Sequence, residues 1–349
     1  MDNTFAPPLK KSRAKPAPAR VTIRTVAEDA GVSVSAVSKV LRNAYGVSDG
    51  LRARVMASIE KLDYRPSASA RGMRGQSYTL GVLLTDIRNV FFAEIMEGIN
   101  DTLAPTPYQP LLGVSQLRRR VERSLVDAII DRQMDGLILV APRMPLPEIE
   151  DVAKRLPTVV IGSHPAGTSR FDTVNNDDIL GGEAVVDYLN GLGLRRITFF
   201  TLTEPDDDDD ENTVMMHRER GYVSAMTRLG LDVNIERAAH DTVAEAARRL
   251  VASKDRPEAI FCWGDAWALR VISAATDLGV RIPQDIRVVG YDNNQYCELA
   301  QNSLTSVDQS GRELGKQAAR LLIERIEGRR EPYHFTVTPS LIVRNSTGG

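Results

Sequence analysis

The chain has 349 residues, 42% of them apolar, with 44 Lys and Arg against 46 Asp and Glu. That is too long for one ordinary core and apolar enough to fill two or three, which excludes a disordered or fibrous chain. The net charge of -2 hides an asymmetry: residues 1–78 carry 14 Lys and Arg against 6 Asp and Glu and the remainder 30 against 40, so a polyanion is expected to bind at the N-terminal end.

Only Cys262 and Cys297 occur, without the paired spacing of a metal site or disulfide framework. No metal and no cofactor are expected, and a reducing cytoplasm fits. The longest apolar runs, Gly136 to Ala141 and Thr158 to Ile161, fall far short of a membrane span, and the first residues carry Pro and Lys where a secretory segment is apolar. This predicts a cytoplasmic protein without membrane contact.

Residues 1–20, with four prolines among Lys10, Lys11, Arg13, Lys15 and Arg20, read as a flexible basic arm, either a phosphate-attracting tail or a solvated one. Val21 to Leu41 then pack two short helices around a glycine turn. Thr22 is a candidate N-cap for a first helix with Val26, Ala27 and Ala30 on one face, and Gly31 ends it. Ser33 is placed to cap a second helix in which Val37, Val40 and Leu41 turn inward, leaving Val34, Ser35, Ser38 and Lys39 outward. Small and hydroxylated side chains let such a helix sit deep in a DNA major groove, while Lys39 suits a guanine acceptor or a phosphate. A hairpin of this kind also occurs in proteins that never meet DNA.

Ser48 begins a third helix, and its Leu51, Val55, Ile59 and Leu62 form a stripe that completes a three-helix domain over residues 21–66. Tyr64-Arg65-Pro66 stops it, and residues 67–78 read as a linker with almost nothing to bury.

From Leu80 onward short β-branched runs (LGVLL, QPLLGV, GLILV, TVVIG, ITFF, AIFCW, RVVGY) alternate with helical patterns, the signature of parallel sheets covered by helices. They are too many for one sheet, so two doubly wound subdomains are predicted. Ligands of such sheets bind beyond the carboxyl ends of strands. That singles out Asp86 to Phe92, Asp206 to Arg218, Trp263 to Asp265 and Asp292 to Gln295. Phe91 and Phe92 suit stacking on a sugar ring, with core packing as the alternative. The run Asp206 to Asp210 reads as a solvated loop that disfavours an anionic ligand, and it lacks the spacing of a calcium loop. No enzyme signature is present, and His164, His217, His240 and His334 are scattered singly, so no catalytic residue is assigned.

The segment T-V-A-x-x-A-G-V-S-x-x-x-V-S-x-V-L at residues 25–41 closely resembles the headpiece of the lactose-repressor (LacI/GalR) family of bacterial transcription regulators. Further matches are G-L-I-L at 136–139, R-x-x-G-Y at Arg218 to Tyr222 and V-V-G-Y-D at Val288 to Asp292. The resemblance implies an all-α three-helix helix-turn-helix headpiece followed by an α/β periplasmic-binding-protein-like core of two doubly wound parallel-sheet subdomains. The expected N-subdomain covers about 79–163 plus 308–330, and the C-subdomain about 164–305 plus 331–345. One crossing strand is expected near Thr305 to Asp308.

The resemblance also implies a hinge helix formed on DNA, with Ala70 in it and Met73 as the apolar wedge in the minor groove. Thr22, Ser33, Val34, Ser35, Ser38 and Lys39 are then the DNA-contacting residues of the headpiece. For the effector it implies Asp86, Phe91, Phe92, Arg218, Trp263 and Asp292, with Gly264 standing where the family commonly has Asn. The implied partners are double-stranded, pseudo-palindromic operator DNA, a sugar-like effector and a second copy of the chain in a dimer. A transport-type solute-binding protein is the first alternative, and the basic headpiece argues against it. A sugar-modifying α/β enzyme is the second, and it lacks a catalytic constellation.

Overall fold

The computed structural model describes residues 21–41, 44–64, 76–164, 170–203 and 213–349. The expectations for Ala70, Met73 and the run Asp206 to Asp210 fall outside them. The chain divides into two compact units, residues 1–75 and 76–349.

In the first unit α1 (Ile23–Ala30) starts at a reciprocal cap. Thr22 Oγ1 accepts from Thr25 N–H at 3.4 Å, and Thr25 Oγ1 accepts from Thr22 N–H at 3.3 Å. Gly31 ends the helix with φ 63°, a conformation that favours glycine. The Ser33 hydroxyl accepts from Ala36 N–H at 3.2 Å to open α2 (Val34–Leu41). With α3 (Asp49–Lys61), these helices bury Val26, Val37, Val40 and Val55 as one small core. Lys61 and Asp29 pair at 2.6 Å between α3 and α1.

Two expectations for α2 need correction. Ser38, expected outward, is 4% exposed, because so short a side chain is covered by its surroundings where a longer one reaches solvent. Leu41, expected inward, is 36% exposed, since it lies at the edge of the apolar stripe where the helix ends.

The second unit contains two lobes. The N-terminal lobe is built on β1 (Thr79–Leu84), β2 (Gln109–Val114), β3 (Gly136–Val140), β4 (Thr158–Ile161) and β5 (Asp172–Asn176), joined late in the chain by β11 (His334–Val337). Their order is β11-β5-β4-β3-β1-β2, all parallel, with Leu80 opposite Gly136 and Val82 opposite Ile138. The central strands β1, β3, β4 and β5 are buried on both faces, as a parallel sheet under two helical layers requires, while the edge strands β2 and β11 are partly exposed. Leu80, Val82 and Ile138 face α4 (Phe91–Leu103) and α11 (Gly311–Ile326), whereas Leu83, Leu137 and Leu139 face α5 (Arg119–Asp131) and α6 (Leu146–Ala153). α4 and α11 meet backbone to backbone. A Cβ on Gly98 would lie 2.0 Å from the Arg312 carbonyl oxygen, and one on Gly315 2.0 Å from that of Ile95.

The C-terminal lobe repeats the plan with β6 (Ile197–Leu202), β7 (Asn234–Ala238), β8 (Ala259–Cys262), β9 (Arg287–Asp292), β10 (Thr305–Asp308) and β12 (Ser340–Ile342) in the order β12-β10-β9-β8-β6-β7. Only β12 runs antiparallel to its neighbour, β10. One face packs α7 (Asp178–Gly191) and α8 (Val214–Arg228), and the other α9 (Val243–Ala252) and α10 (Asp265–Leu278).

The chain passes between the lobes at Asn176 to Asp178, Asp308 to Gly311 and Val337 to Ser340. The crossing after Thr305 to Asp308 is where the sequence placed it, but the lobe boundaries differ from those expected. Residues 172–176 and 334–337, assigned above to the C-subdomain, are strands of the N-terminal sheet, paired with each other through Phe335 opposite Val174. Four of the five residues of β5 (Asp172, Thr173, Asn175 and Asn176) are polar and buried, which hides its strand character from the apolar pattern. The linker is also shorter than 67–78: the Asp135 carboxylate accepts from Ser77 N–H at 2.8 Å and Tyr78 N–H at 2.6 Å, so residues from 77 belong to the core.

Candidate functional site

Two surfaces follow from this fold. The first is the outward side of α2, where Val34 is 37% exposed and Ser35 and Lys39 are also exposed, while Ser38 is withdrawn. Thr22 and Ser33 lie exposed at the N-termini of α1 and α2, where helix dipoles favour an anion.

The second is a cavity of about 360 Å³ between the lobes of the core, at the carboxyl ends of their strands. Asp86, Phe91, Phe92, Arg218, Trp263 and Asp292 all line it. Their roles differ from a simple set of ligand donors. Phe91 is 6% exposed and anchors α4 in the apolar core, which is the core-packing alternative, and it also borders the cavity. Phe92 is less buried, with its ring centroid 6.3 Å from that of Phe91. Asp86 is held by the exposed Arg88 through a bidentate pair, with Nη2 to Oδ2 at 2.8 Å and Nε to Oδ1 at 3.0 Å.

Arg218 is the hub. It is 4% exposed, and its Nε donates to Asp178 Oδ1 at 2.8 Å, its Nη1 to the Trp263 carbonyl at 2.6 Å and its Nη2 to Gln309 Oε1 at 3.0 Å. The guanidinium carbon stands 3.8 Å from the centroid of the Tyr291 ring. Most of its donors are therefore spent on the protein, which ties α8 to two lobe crossings. Burial works against the charged form of Arg218, but Asp178, Tyr291 and Asp292 around it together outweigh this and raise its pKa. Asp178 responds in kind: burial opposes its charge, yet Arg218 and His164 hold its pKa below the ordinary carboxylate value.

Asp292 ends β9 with φ 112°, a strained conformation for a residue with a side chain. Its Oδ1 accepts from Gln309 Nε2 at 2.6 Å and its Oδ2 from Asn89 Nδ2 at 3.5 Å. Burial pushes its pKa well up, and Arg218 nearby only partly offsets this. Neighbouring Asp265 is fully buried and structural: it accepts from Ser306 Oγ at 2.6 Å, Asn294 N–H at 2.9 Å and Cys297 Sγ at 3.1 Å. His217 does not line the cavity; it stacks on His164 with centroids 4.1 Å apart, and burial lowers its pKa to about 4.

Sequence reasoning missed Asn89, Asn176, Asp178 and Gln309. Asn89 lay inside the stretch flagged after β1, so its amide was within reach of the argument. The others sit at lobe crossings, which apolar periodicity does not reveal. Among the described residues, two buried side-chain atoms at this cavity have no hydrogen-bond partner: Trp263 Nε1, a donor, and Asn176 Oδ1, an acceptor. Buried polar atoms without partners are costly, so both ask for a hydrogen-bonding ligand or water.

Residues 22–67 match the model of bacterial regulatory proteins of the lacI family, and residues 186–347 that of a periplasmic binding protein-like domain. The chain is 30% identical over 334 residues to the HTH-type transcriptional repressor PurR of Vibrio vulnificus, covering 93% of this chain and 98% of that one. It is 30% identical over 342 residues to the HTH-type transcriptional repressor CytR of Escherichia coli K12, covering 96% and 98%. Among solved structures it is similar to a transcriptional regulator CelR–cellobiose complex, with 28% identity and a TM-score of 0.67 over 94% of this chain and 100% of that one.

Proposed function

This chain belongs to the lacI family of bacterial regulatory proteins and is a helix-turn-helix transcription regulator; on that premise we propose that it is a cytoplasmic, homodimeric repressor whose hold on operator DNA is set by a sugar-like effector between its lobes. The DNA-contacting residues in this reading are Val34, Ser35 and Lys39 on α2, Thr22 and Ser33 at the helix starts, and the linker residues Ala70 and Met73. A two-fold dimer presents two such helices, so the operator is a pseudo-palindrome.

The observation that carries the effector reading is the cavity itself. Phe92 and Trp263 offer apolar faces for a ring, and Trp263 Nε1 and Asn176 Oδ1 offer one unpaired donor and one unpaired acceptor. Hydroxyl groups serve both. The relative solved with cellobiose supports the same class of ligand. An effector shifts operator binding only through its different affinity for the open and closed lobe arrangements.

The test is selection of bound sequences from random DNA, followed by titration of the recovered operator complex with cellobiose and a panel of mono- and disaccharides. A palindromic site and a sugar that changes its occupancy support the proposal. A site without two-fold symmetry, or a response only to compounds without hydroxyl groups, overturns the corresponding half.

A further inference from the structure

The wall of the cavity that follows β3 is held in place by a buried charge. Ala141, Pro142, Arg143 and Met144 all line the cavity. Ala141 has φ 48°, in the left-handed region that residues with a Cβ seldom adopt, so local preference does not explain the path of this loop. Behind it, in α5, Glu122 is only 2% exposed. Its carboxylate accepts from Arg143 N–H, at 3.0 Å to Oε2 and 3.2 Å to Oε1, and from Met144 N–H at 3.2 Å to Oε1.

A carboxylate so deeply buried is unfavourable unless it collects strong donors, and here the donors are the backbone of the cavity wall. The next turn of the loop is gripped from the same helix: Arg119 Nη2 donates to Glu148 Oε1 at 2.8 Å and Arg123 Nε to Glu148 Oε2 at 2.5 Å, in the first turn of α6. On its other side Met144 borders a second cavity of about 180 Å³ with Arg123, Glu148 and Val152. The loop is thus a partition between two spaces, and packing alone does not fix it.

We propose that Glu122 is a positioning residue of the effector site: its carboxylate fixes the turn at Arg143 and Met144 and so sets the N-terminal-lobe wall of the cavity. His240 lines the same cavity from the C-terminal lobe. The proposal rests on the reading of the cavity as the effector site, although the position of the loop is testable without an effector.

The experiment uses the full chain as parent, Glu122→Gln, Glu122→Asp and Glu122→Leu. It reads amide exchange over residues 140–146, acrylamide quenching of tryptophan fluorescence, and thermal melting. The chain's two tryptophans, Trp263 and Trp267, both line the cavity, so quenching reports on its wall. Glu122→Leu is expected to speed exchange in this loop by about tenfold or more and to raise quenching, with the strands of the C-terminal lobe unchanged. Glu122→Gln, which keeps an acceptor, is expected to restore most of the protection, and Glu122→Asp to fall between. Should Glu122→Leu fail to fold, the Gln and Asp variants carry the same comparison. Loop exchange equal to the parent's in all folded variants overturns the proposal. So does faster exchange throughout the core in step with a lower melting temperature, which marks a merely structural role. If the loop behaves as expected but no sugar alters operator binding, the effector reading fails and the positioning role of Glu122 stands.

Discussion

Asn89 and Asp292 meet across the cleft: the Asn89 side-chain amide, in the N-terminal lobe, donates to Asp292 Oδ2, in the C-terminal lobe, at 3.5 Å. Gln309, at a lobe crossing, holds the other oxygen of the same carboxylate at 2.6 Å. Lobe angle and cavity chemistry are therefore joined at one side chain. A bond of this length is at the weak end, below about 1 kcal/mol, so Asn89→Ala should raise the half-response concentration of the effector found by titration by about fivefold or less. Operator binding without effector should stay within about twofold. An unchanged half-response would mean that this contact is not kept in the bound state.

Arg218 has a larger structural role than a ligand contact. Arg218→Ala leaves Asp178, 1% exposed, without its main charge partner and removes the donors that hold Gln309 and the Trp263 carbonyl. Breaking one side of a buried pair costs about 3–5 kcal/mol, so the variant should melt at a clearly lower temperature as well as lose its effector response. A melting curve that matches the parent's would refute the hub role.

Glu94, in α4, is half-buried against the crossing at Asp308 to Gly311. Burial, with Asp308 and Glu97 adding like charge, raises its pKa to about 7. A carboxyl group with a raised folded-state pKa contributes stability that is present below its ordinary value of 4.5 and lost as pH rises through about 7. Glu94→Gln removes that loss. Melting of parent and variant at about pH 5 and about pH 8 should show the variant gaining on the parent at the higher pH; a constant difference would refute the assignment.

Asp135 fastens the start of β1 to the start of β3 through the Ser77 and Tyr78 amides. Tyr78 has φ 54°, so this carboxylate holds a turn that the chain would otherwise relax. Asp135→Ala should cost about 1.5–3 kcal/mol locally and speed amide exchange at Ser77 and Tyr78. Protection equal to the parent's there would show that the turn is held by other means.

Lys39 is exposed on α2 beside Ser35. Lys39→Ala should weaken binding to the selected operator by about 1–3 kcal/mol if it reads a base. An equal loss on operator and on random DNA would assign it to phosphate, and no loss on either would remove it from the interface.

Much of this protein was legible in its sequence because the relevant signals are local. Thr22, Gly31, Ser33 and Ser48 cap or end helices through bonds to residues only a few positions away, and the alternation of strand and helix follows from periods of two and 3.6 residues. The DNA-binding headpiece, the doubly wound core and the stretches that line the cavity came from such signals together with the family motif. What only tertiary structure decided was membership and partnership. The polar strands at 172–176 and 334–337 join the N-terminal sheet because the chain crosses between lobes there, which no local pattern records. Ser38 is covered although its helical position points outward. Arg218 was singled out as a ligand contact, yet its partners Asp178, Trp263 and Gln309 lie 40, 45 and 91 residues away, and Glu122 meets its loop 21 residues on. Hydrogen bonds over such separations are chosen by how the lobes fold together, since a donor in the sequence does not name its acceptor until the backbone brings one within about 3 Å.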